Sequence, residues 1–209
     1  EMLAAAAGLS RGDAAAVRQK RRLFWYLIVG TIPGGIIGLL FEKAADEQLR
    51  QPIIIGLALV IVALLMWAGE IKGRRQETKL EEVGLGSALF VGVAQAIAVI
   101  PGVSRSGITM TAGLFSGMDR ETDARFSFLL STPIIAGAAL KKGLEVHKHG
   151  LPPGMQLPFI VGILVSAVVG YAVIAWLLRF LSTRTFKPFI IYRLALGVLV
   201  LALGWGLRH

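Results

Sequence analysis

Ser104, Arg105, Ser106 and Thr109 are the side chains best suited to chemistry in this 209-residue chain. They lie in Pro101-Gly102-Val103-Ser104-Arg105-Ser106-Gly107-Ile108-Thr109, midway along a run from Val83 to Met118 whose one charge is Arg105. A guanidinium presents a planar fork of N–H donors that matches phosphate oxygens. Pro101 and Gly102 break a helix arriving from Val83, and Ser104 can cap a new one running through Thr109 towards Met118. A helix start adds free N–H groups and the positive end of its dipole. The pattern predicts an anion site, with Arg105, Ser104 and Thr109 as its chemical core and Ser106, Gly102, Gly107 and Gln95 around the ligand. Gln95, two turns before the tip, is also placed to satisfy backbone groups there. An anion site inside hydrocarbon calls for a ligand with an anionic head and a greasy body.

Each of these residues has a plainer role to be weighed. Arg105 could snorkel to an interface, but it is far from either charged flank and no Asp or Glu occurs between Val83 and Met118. Ser104 and Ser106 could serve only as caps, and Thr109 could bond back to its own helix; both roles are compatible with ligand contact. Arg193, a turn and a half into the last apolar segment, reads as a snorkelling anchor. Glu121 and Asp123, with Arg120 and Arg125, read as a solvated turn and helix entry. His147 and His149 lie in a Gly- and Pro-rich loop without a carboxylate at metal-ligand spacing. No metal site is predicted within the chain.

The elements that must position the motif are membrane spans. Only 17% of residues are charged and the mean hydropathy is +0.70. Leu23–Phe41, Pro52–Gly69, Phe126–Leu140, Pro158–Leu178 and Pro188–Leu207 approach the roughly 20 residues that a bilayer requires. This predicts an all-α polytopic membrane protein with about five spans. Val83–Met118 is too long for one crossing and its halves are short for two. Irregular backbone at membrane depth must be buried in protein or line a cavity, so the segment reads as a re-entrant helical hairpin with PGVSRSG at its tip. The net charge of +9 would suit nucleic acid, but the basic residues cluster beside spans, as topology signals do. With no cysteine, thiolate chemistry and disulfides are excluded.

Arg18, Lys20, Arg21 and Arg22 before the first span mark the inner side. With the hairpin entering and leaving by one face, Lys and Arg divide fourteen inside to six outside; a single crossing gives thirteen to seven, so charge alone does not decide re-entrance. A faint repeat pairs Gly30 and Gly38 with Gly162 and Gly170, and Pro52–Ile55 with Pro188–Ile191. Opposite crossing directions make it an inverted-topology repeat. It divides a single membrane domain, 1–209, into 1–82, the remainder of a first repeat, and 83–209, a second repeat with the hairpin at 83–118. A first copy of the tip would fall before Glu1, which predicts either a longer parent chain, the favoured reading, or a first half that has lost the element.

PGVSRSGITMTAGLFSG, with Gln95 before it and Arg125-Phe126-Ser127-Phe128-Leu129-Leu130-Ser131-Thr132-Pro133 after it, closely resembles the second signature of the bacterial undecaprenyl-pyrophosphate phosphatases of the bacitracin-resistance type. The similarity extends through Ile32-Pro33 to Glu42 and through Tyr192-Arg193-Leu194. It implies an inner-membrane enzyme that removes the terminal phosphate of undecaprenyl pyrophosphate, regenerating a lipid carrier for cell-wall synthesis. It further implies six spans plus two re-entrant hairpins in inverted repeats, a divalent cation (Mg or Ca), a site open to the periplasm, and Arg105 holding the pyrophosphate among Ser104, Ser106 and Thr109. The family's first signature, a glutamate-rich stretch running into a Ser-Ser and Gly-His turn, has no match in these residues. It is thought to carry the metal-binding carboxylates, a histidine and a candidate nucleophilic serine. The resemblance therefore assigns the pyrophosphate-binding half of the site to this chain. A transporter or flippase for an anionic polyprenyl lipid would use the same inverted repeats and half-helix ends without hydrolysis. The implied partners are the polyprenyl pyrophosphate and the membrane, not nucleic acid, and a homo-oligomer is compatible with both readings.

Overall fold

A computed structural model describes residues 11–73 and 78–206. These form seven helices: α1 Arg11–Gln48, α2 Pro52–Gly73, α3 Leu85–Ala96, α4 Arg105–Phe115, α5 Arg120–His149, α6 Gln156–Leu181 and α7 Lys187–Gly206, with short 3₁₀ turns at Leu80–Glu82 and Ile97–Val99. Four stretches are long and apolar enough to cross a membrane: Ala16–Phe41, Pro52–Lys72, Gln156–Leu181 and Lys187–Gly206. The protein is an all-α, multi-pass membrane protein. The fifth predicted span, Phe126–Leu140, lies within α5, whose 30 residues give about 45 Å of length. It is less apolar than the other four because Ser127, Ser131 and Thr132 face a cleft rather than lipid.

Glycine sets how closely the helices approach. Gly30 of α1 and Gly92 of α3 meet backbone to backbone, and a Cβ on Gly92 would overlap the Gly30 carbonyl oxygen. This contact brings Leu27, Ala88, Val91, Phe126 and Leu130 into one buried cluster that joins α1, α3 and α5. On the other flank Gly56 of α2 packs on Gly197 and Leu201 of α7, while Pro52 packs on Gly204. The pairing of low numbers with high ones shows that α2 and α7 run antiparallel. Small residues at such contacts let helices associate in lipid by close van der Waals packing. Gly162, matched to Gly30 by sequence, instead has nothing within 4 Å of its Cβ position.

Val83 to Met118 folds back on itself. α3 and α4 are the two half-helices, and the chain reverses between them at Ile100 to Ser104. Both open ends lie together, since the backbones of Thr78 and Met118 pair in a single parallel bridge. Lys72 Nζ, at the end of α2, donates to the Phe115 carbonyl at 3.2 Å. Arg120 donates to Glu70 Oε1 through Nε at 2.9 Å and Nη2 at 2.6 Å, and Phe186 N lies 3.5 Å from Glu70 Oε2. Residues from 70–82, 117–125 and 179–187, which share the inner side only if the hairpin is re-entrant, thus meet at one end of the bundle. The contacts decide what the loop charges left open.

At the far end, Gly102 approaches the Ile55 carbonyl, whereas Leu114 packs on Gly69. Fourteen residues of α2 separate these contacts, so the tip penetrates about 21 Å along that helix. A hydrocarbon core is about 30 Å thick. The tip therefore sits well inside the membrane and closer to the end opposite its entry.

Candidate functional site

The tip is held in a conformation that few residues adopt. Gly102 has φ +92°, and a Cβ there would come within 2.6 Å of the Ile55 carbonyl oxygen. Only glycine fits both the dihedral and the space. Ser104 has φ 65° and ψ 118°, the one positive φ at a non-glycine among the described residues. Such strain persists where the surroundings over-determine it, and it concentrates at ligand sites. Ser104 is also the predicted cap: its Oγ accepts from Gly107 N–H at 3.3 Å, and its carbonyl accepts from Ile108 N–H at 3.0 Å. The N–H groups of Ser104, Arg105 and Ser106 donate to nothing among the described residues. Three free donors at the start of α4 form the anion-binding face that the sequence predicts.

Arg105 is exposed, and no carboxylate or carbonyl among the described residues receives its guanidinium. It stands where two clefts meet. One, of about 760 Å³, is lined by Ser106, Thr109, Arg125, Ser127, Ser131 and Thr132 together with aliphatic residues. The other, of about 640 Å³, runs between Gly34, Gly35 and Gly38 of α1 and Pro133, Ile134 and Gly137 of α5. Hydroxyls and Arg125 thus lie on one side of Arg105, the cation common to both clefts, and mainly glycine and aliphatic surface, with Lys141, on the other.

Thr109 reaches the hydroxyl-rich cleft but is almost fully buried; its hydroxyl donates to Arg105 O at 2.9 Å and lies 3.3 Å from Ser106 O. Gly107 is buried in the first turn of α4, beside Ser104 and Arg193. Gln95 lines the glycine-walled cleft, 3% exposed, with both amide atoms unpartnered. It bonds no backbone group of the tip, so its predicted role towards that backbone fails, and the role towards a ligand is the one its geometry permits.

Two readings of single residues are corrected. Arg193 is not an interfacial anchor: it is 7% exposed, and its Nη2 donates to the carbonyls of Gly102 at 3.0 Å and Val103 at 2.9 Å. The turn before α5 is not simply solvated. Asp119 caps that helix by accepting from Glu121 N–H (2.9 Å) and Thr122 N–H (3.0 Å), Glu70 binds Arg120, and Asp123 is fully buried against Gly113. Burial pushes the Asp123 carboxyl well above the usual carboxylate range, and the nearby Asp119 raises it further. Sequence reading also missed Ser127, Ser131 and Thr132 as cleft residues. The four-residue spacing of Ser127 and Ser131, which puts them on one helix face beside Thr132, was the available signal.

No group of three or more His, Asp or Glu side chains that could hold a metal occurs among the described residues. The tip itself offers guanidinium and N–H donors, which suit an anion and repel a bare cation. The described residues do not supply a ligand set for the divalent ion that the resemblance implies.

The chain is 50% identical over 187 residues to a Moorella thermoacetica protein named undecaprenyl-diphosphatase, covering 90% of this chain and 70% of that one. A Trichlorobacter lovleyi protein of the same name is 47% identical over 191 residues, with the same two coverages. One from Geotalea daltonii is 47% identical over 182 residues, covering 87% of this chain and 67% of its own length. A family model described as bacitracin resistance protein BacA matches residues 1–199, tip, clefts and Arg193 included, and the chain belongs to that family.

Proposed function

We propose that this chain acts as an undecaprenyl-diphosphatase, hydrolysing undecaprenyl pyrophosphate to undecaprenyl phosphate and inorganic phosphate. The observation that carries the reading is the position of Arg105: an unpaired guanidinium inside a membrane bundle, shared between a hydroxyl-lined cleft and a glycine-walled, largely aliphatic one. That is the geometry of a site for an amphiphile. The pyrophosphate head meets Arg105 and the free N–H groups of Ser104, Arg105 and Ser106, while the prenyl tail follows the Gly34 to Gly38 face of α1. Names of relatives at 47–50% identity support the same substrate.

The tip residues bind and orient. Charge develops on phosphoryl oxygens during transfer, and preorganised donors in a water-poor site stabilise it. The Ser104 Oγ lone pair is held by Gly107 N–H, which leaves its proton to point at a ligand oxygen. A neutral serine without an adjacent base is a weak nucleophile, so Ser104 is given an orienting role. Magnesium or calcium is an assay variable in this proposal, and no step is assigned to it. The tip's depth and its nearness to the end opposite its entry support a periplasmic opening in a bacterial inner membrane. Recycling of the lipid carrier and bacitracin resistance follow from that placement.

The test is phosphate release from undecaprenyl pyrophosphate in detergent with added magnesium. It is run on this chain and on the longer Moorella relative, each with and without alanine at Arg105 or its matching position. Loss of an electrostatic donor of this kind costs about 10²–10³ in turnover. Lysine should restore little, because it lacks the fork. Phosphate release that is indifferent to Arg105→Ala would refute the assignment. Lipid translocation without phosphate release would transfer the site to a transporter.

A further inference from the structure

Arg193 shares its charge with Arg105 but little else. It sits 7% exposed in α7, with Nη2 on the Gly102 and Val103 carbonyls at 3.0 and 2.9 Å. Its Nη1 lies 3.2 Å from the point where a Gly107 Cβ would be, and its Nε is buried without an acceptor. Among the described residues no carboxylate pairs with it. Charges buried in a span without a counter-charge are costly, and they mark function where they are retained.

We propose that Arg193 is a positioning residue of the anion site, holding the tip by its carbonyl edge so that its N–H edge faces the ligand. In a trans peptide the C=O and N–H point in opposite directions. A Val103 carbonyl turned onto Arg193 therefore turns the Ser104 N–H away from it. That N–H is one of the three free donors, and Ser104 is the residue with the strained φ. Two charge-assisted hydrogen bonds to consecutive carbonyls over-determine this turn in a way that a neutral donor would not. Gly102 lets the chain pass Ile55, and Arg193 then fixes which way the next two peptides face.

The second consequence is electrostatic. Arg193 lines a cavity of about 220 Å³ with Ser104, Ser106 and Gly107, on the flank of α4 away from Gln95. The start of α4 thus carries two guanidinium charges and the positive end of a helix dipole, uncompensated by any carboxylate paired to either arginine. A multiply charged anion such as pyrophosphate balances this better than a singly charged one. The inference rests on the pyrophosphate reading of the tip.

The experiment measures binding of radiolabelled inorganic pyrophosphate to the purified chain by equilibrium dialysis. Thermal unfolding and phosphate release from undecaprenyl pyrophosphate are followed on the same samples. Arg193→Gln removes the charge and keeps one donor; Arg193→Lys keeps the charge and a donor that can reach a carbonyl. The expected result is about tenfold to a hundredfold weaker pyrophosphate binding in Arg193→Gln. Arg193→Lys should recover most of that loss, with unfolding temperatures close to the unsubstituted chain. Wild-type binding in Arg193→Gln overturns the proposal. So does a loss shared by both variants with a matching fall in unfolding temperature, or failure of both to fold, since either shows a purely structural role. An unsubstituted chain that does not bind pyrophosphate overturns it as well. Binding that follows the expected pattern, with no phosphate release from this chain or from the longer Moorella relative, refutes the phosphatase reading and leaves the role of Arg193 standing.

Discussion

Alanine at Gly92 and alanine at Gly162 should act in opposite directions, although both are glycine-to-alanine changes inside helices. A Cβ on Gly92 would lie 1.9 Å from Gly30 O, 2.7 Å from Gly30 C and 3.1 Å from Gly30 Cα. Carbon and carbonyl oxygen approach to about 3.3 Å at closest in favourable contacts. α1 must therefore withdraw from α3 by roughly 1.4 Å, and the obstacle is backbone, which cannot rotate aside. A gap of 0.5–1 Å already forfeits about a quarter to a half of a dispersion contact, and Leu27, Val91 and Leu130 lie on this seam. Overpacking of this kind costs about 3 kcal/mol, while replacing a helical glycine returns about 1 kcal/mol. The net loss is about 2 kcal/mol, or about 4–8 °C in unfolding temperature for a chain of this size. Gly162 has nothing within 4 Å of its Cβ position, so only the gain of about 1 kcal/mol remains. Tryptophan fluorescence during thermal unfolding in detergent reads both. A Gly92→Ala protein that melts at or above the unsubstituted temperature would show that the α1–α3 seam does not set stability. A Gly162→Ala protein that melts as low as Gly92→Ala would show that the two glycines are equivalent after all.

Glu70→Gln should destabilise the open end of the hairpin by about 3 kcal/mol, the lower end for a broken buried pair. Arg120 keeps a quarter of its side chain in solvent, whereas Glu70 is 1% exposed. Arg120→Gln should therefore cost at least as much, and unfolding temperatures of the two variants decide the order. Asp123 should make the protein less stable as pH rises. Its carboxyl is held protonated in the fold well above the ordinary value of 3.8, at which the unfolded chain releases the proton. The unfolded state then binds fewer protons than the native one, so stability falls with pH from about 4 up to the folded pKa. Asp123→Asn should flatten that slope, measured as unfolding temperature against pH; an unchanged slope places the titration elsewhere.

The tip was legible in the sequence because local chemistry determines it. Pro101 and Gly102 stop one helix, Ser104 caps the next, and an arginine with no acid among the twenty-two residues before it or the thirteen after it has no local partner. The spans were legible from hydropathy for the same reason, except that α5 reads as a weaker span because its serines and threonine turn towards the cleft. Re-entrance was legible from the length of Val83–Met118 and the polar tip at its middle, but loop charge could not decide it. Thr78 and Met118, or Glu70 and Arg120, are 40 and 50 residues apart, and no local pattern announces that they touch. Gln95 shows a third case. Its position near the tip was readable, but its choice between tip backbone and ligand depended on how α1 packs, because Gly34 rather than the tip lies against its amide.

Three arginines show why the partner, not the residue type, carries the functional information. Arg120 meets the buried Glu70 carboxylate, which neutralises it and fastens the hairpin's open end to α2. Arg193 meets two carbonyls, which take its hydrogen bonds but not its charge, so it shapes the tip while leaving the site positive. Arg105 meets neither and faces two clefts, so its hydrogen bonds and its charge are both available to a ligand. Exposure alone would misorder them, since the most exposed is the one placed for chemistry and the most buried is the one that orients it. If this ordering is right, charge-removing changes should separate by readout: unfolding temperature for Arg120, pyrophosphate affinity for Arg193, and both affinity and turnover for Arg105. A single pattern shared by all three would mean that the tip and the open end of the hairpin respond as one unit, and that the division of labour among them does not exist.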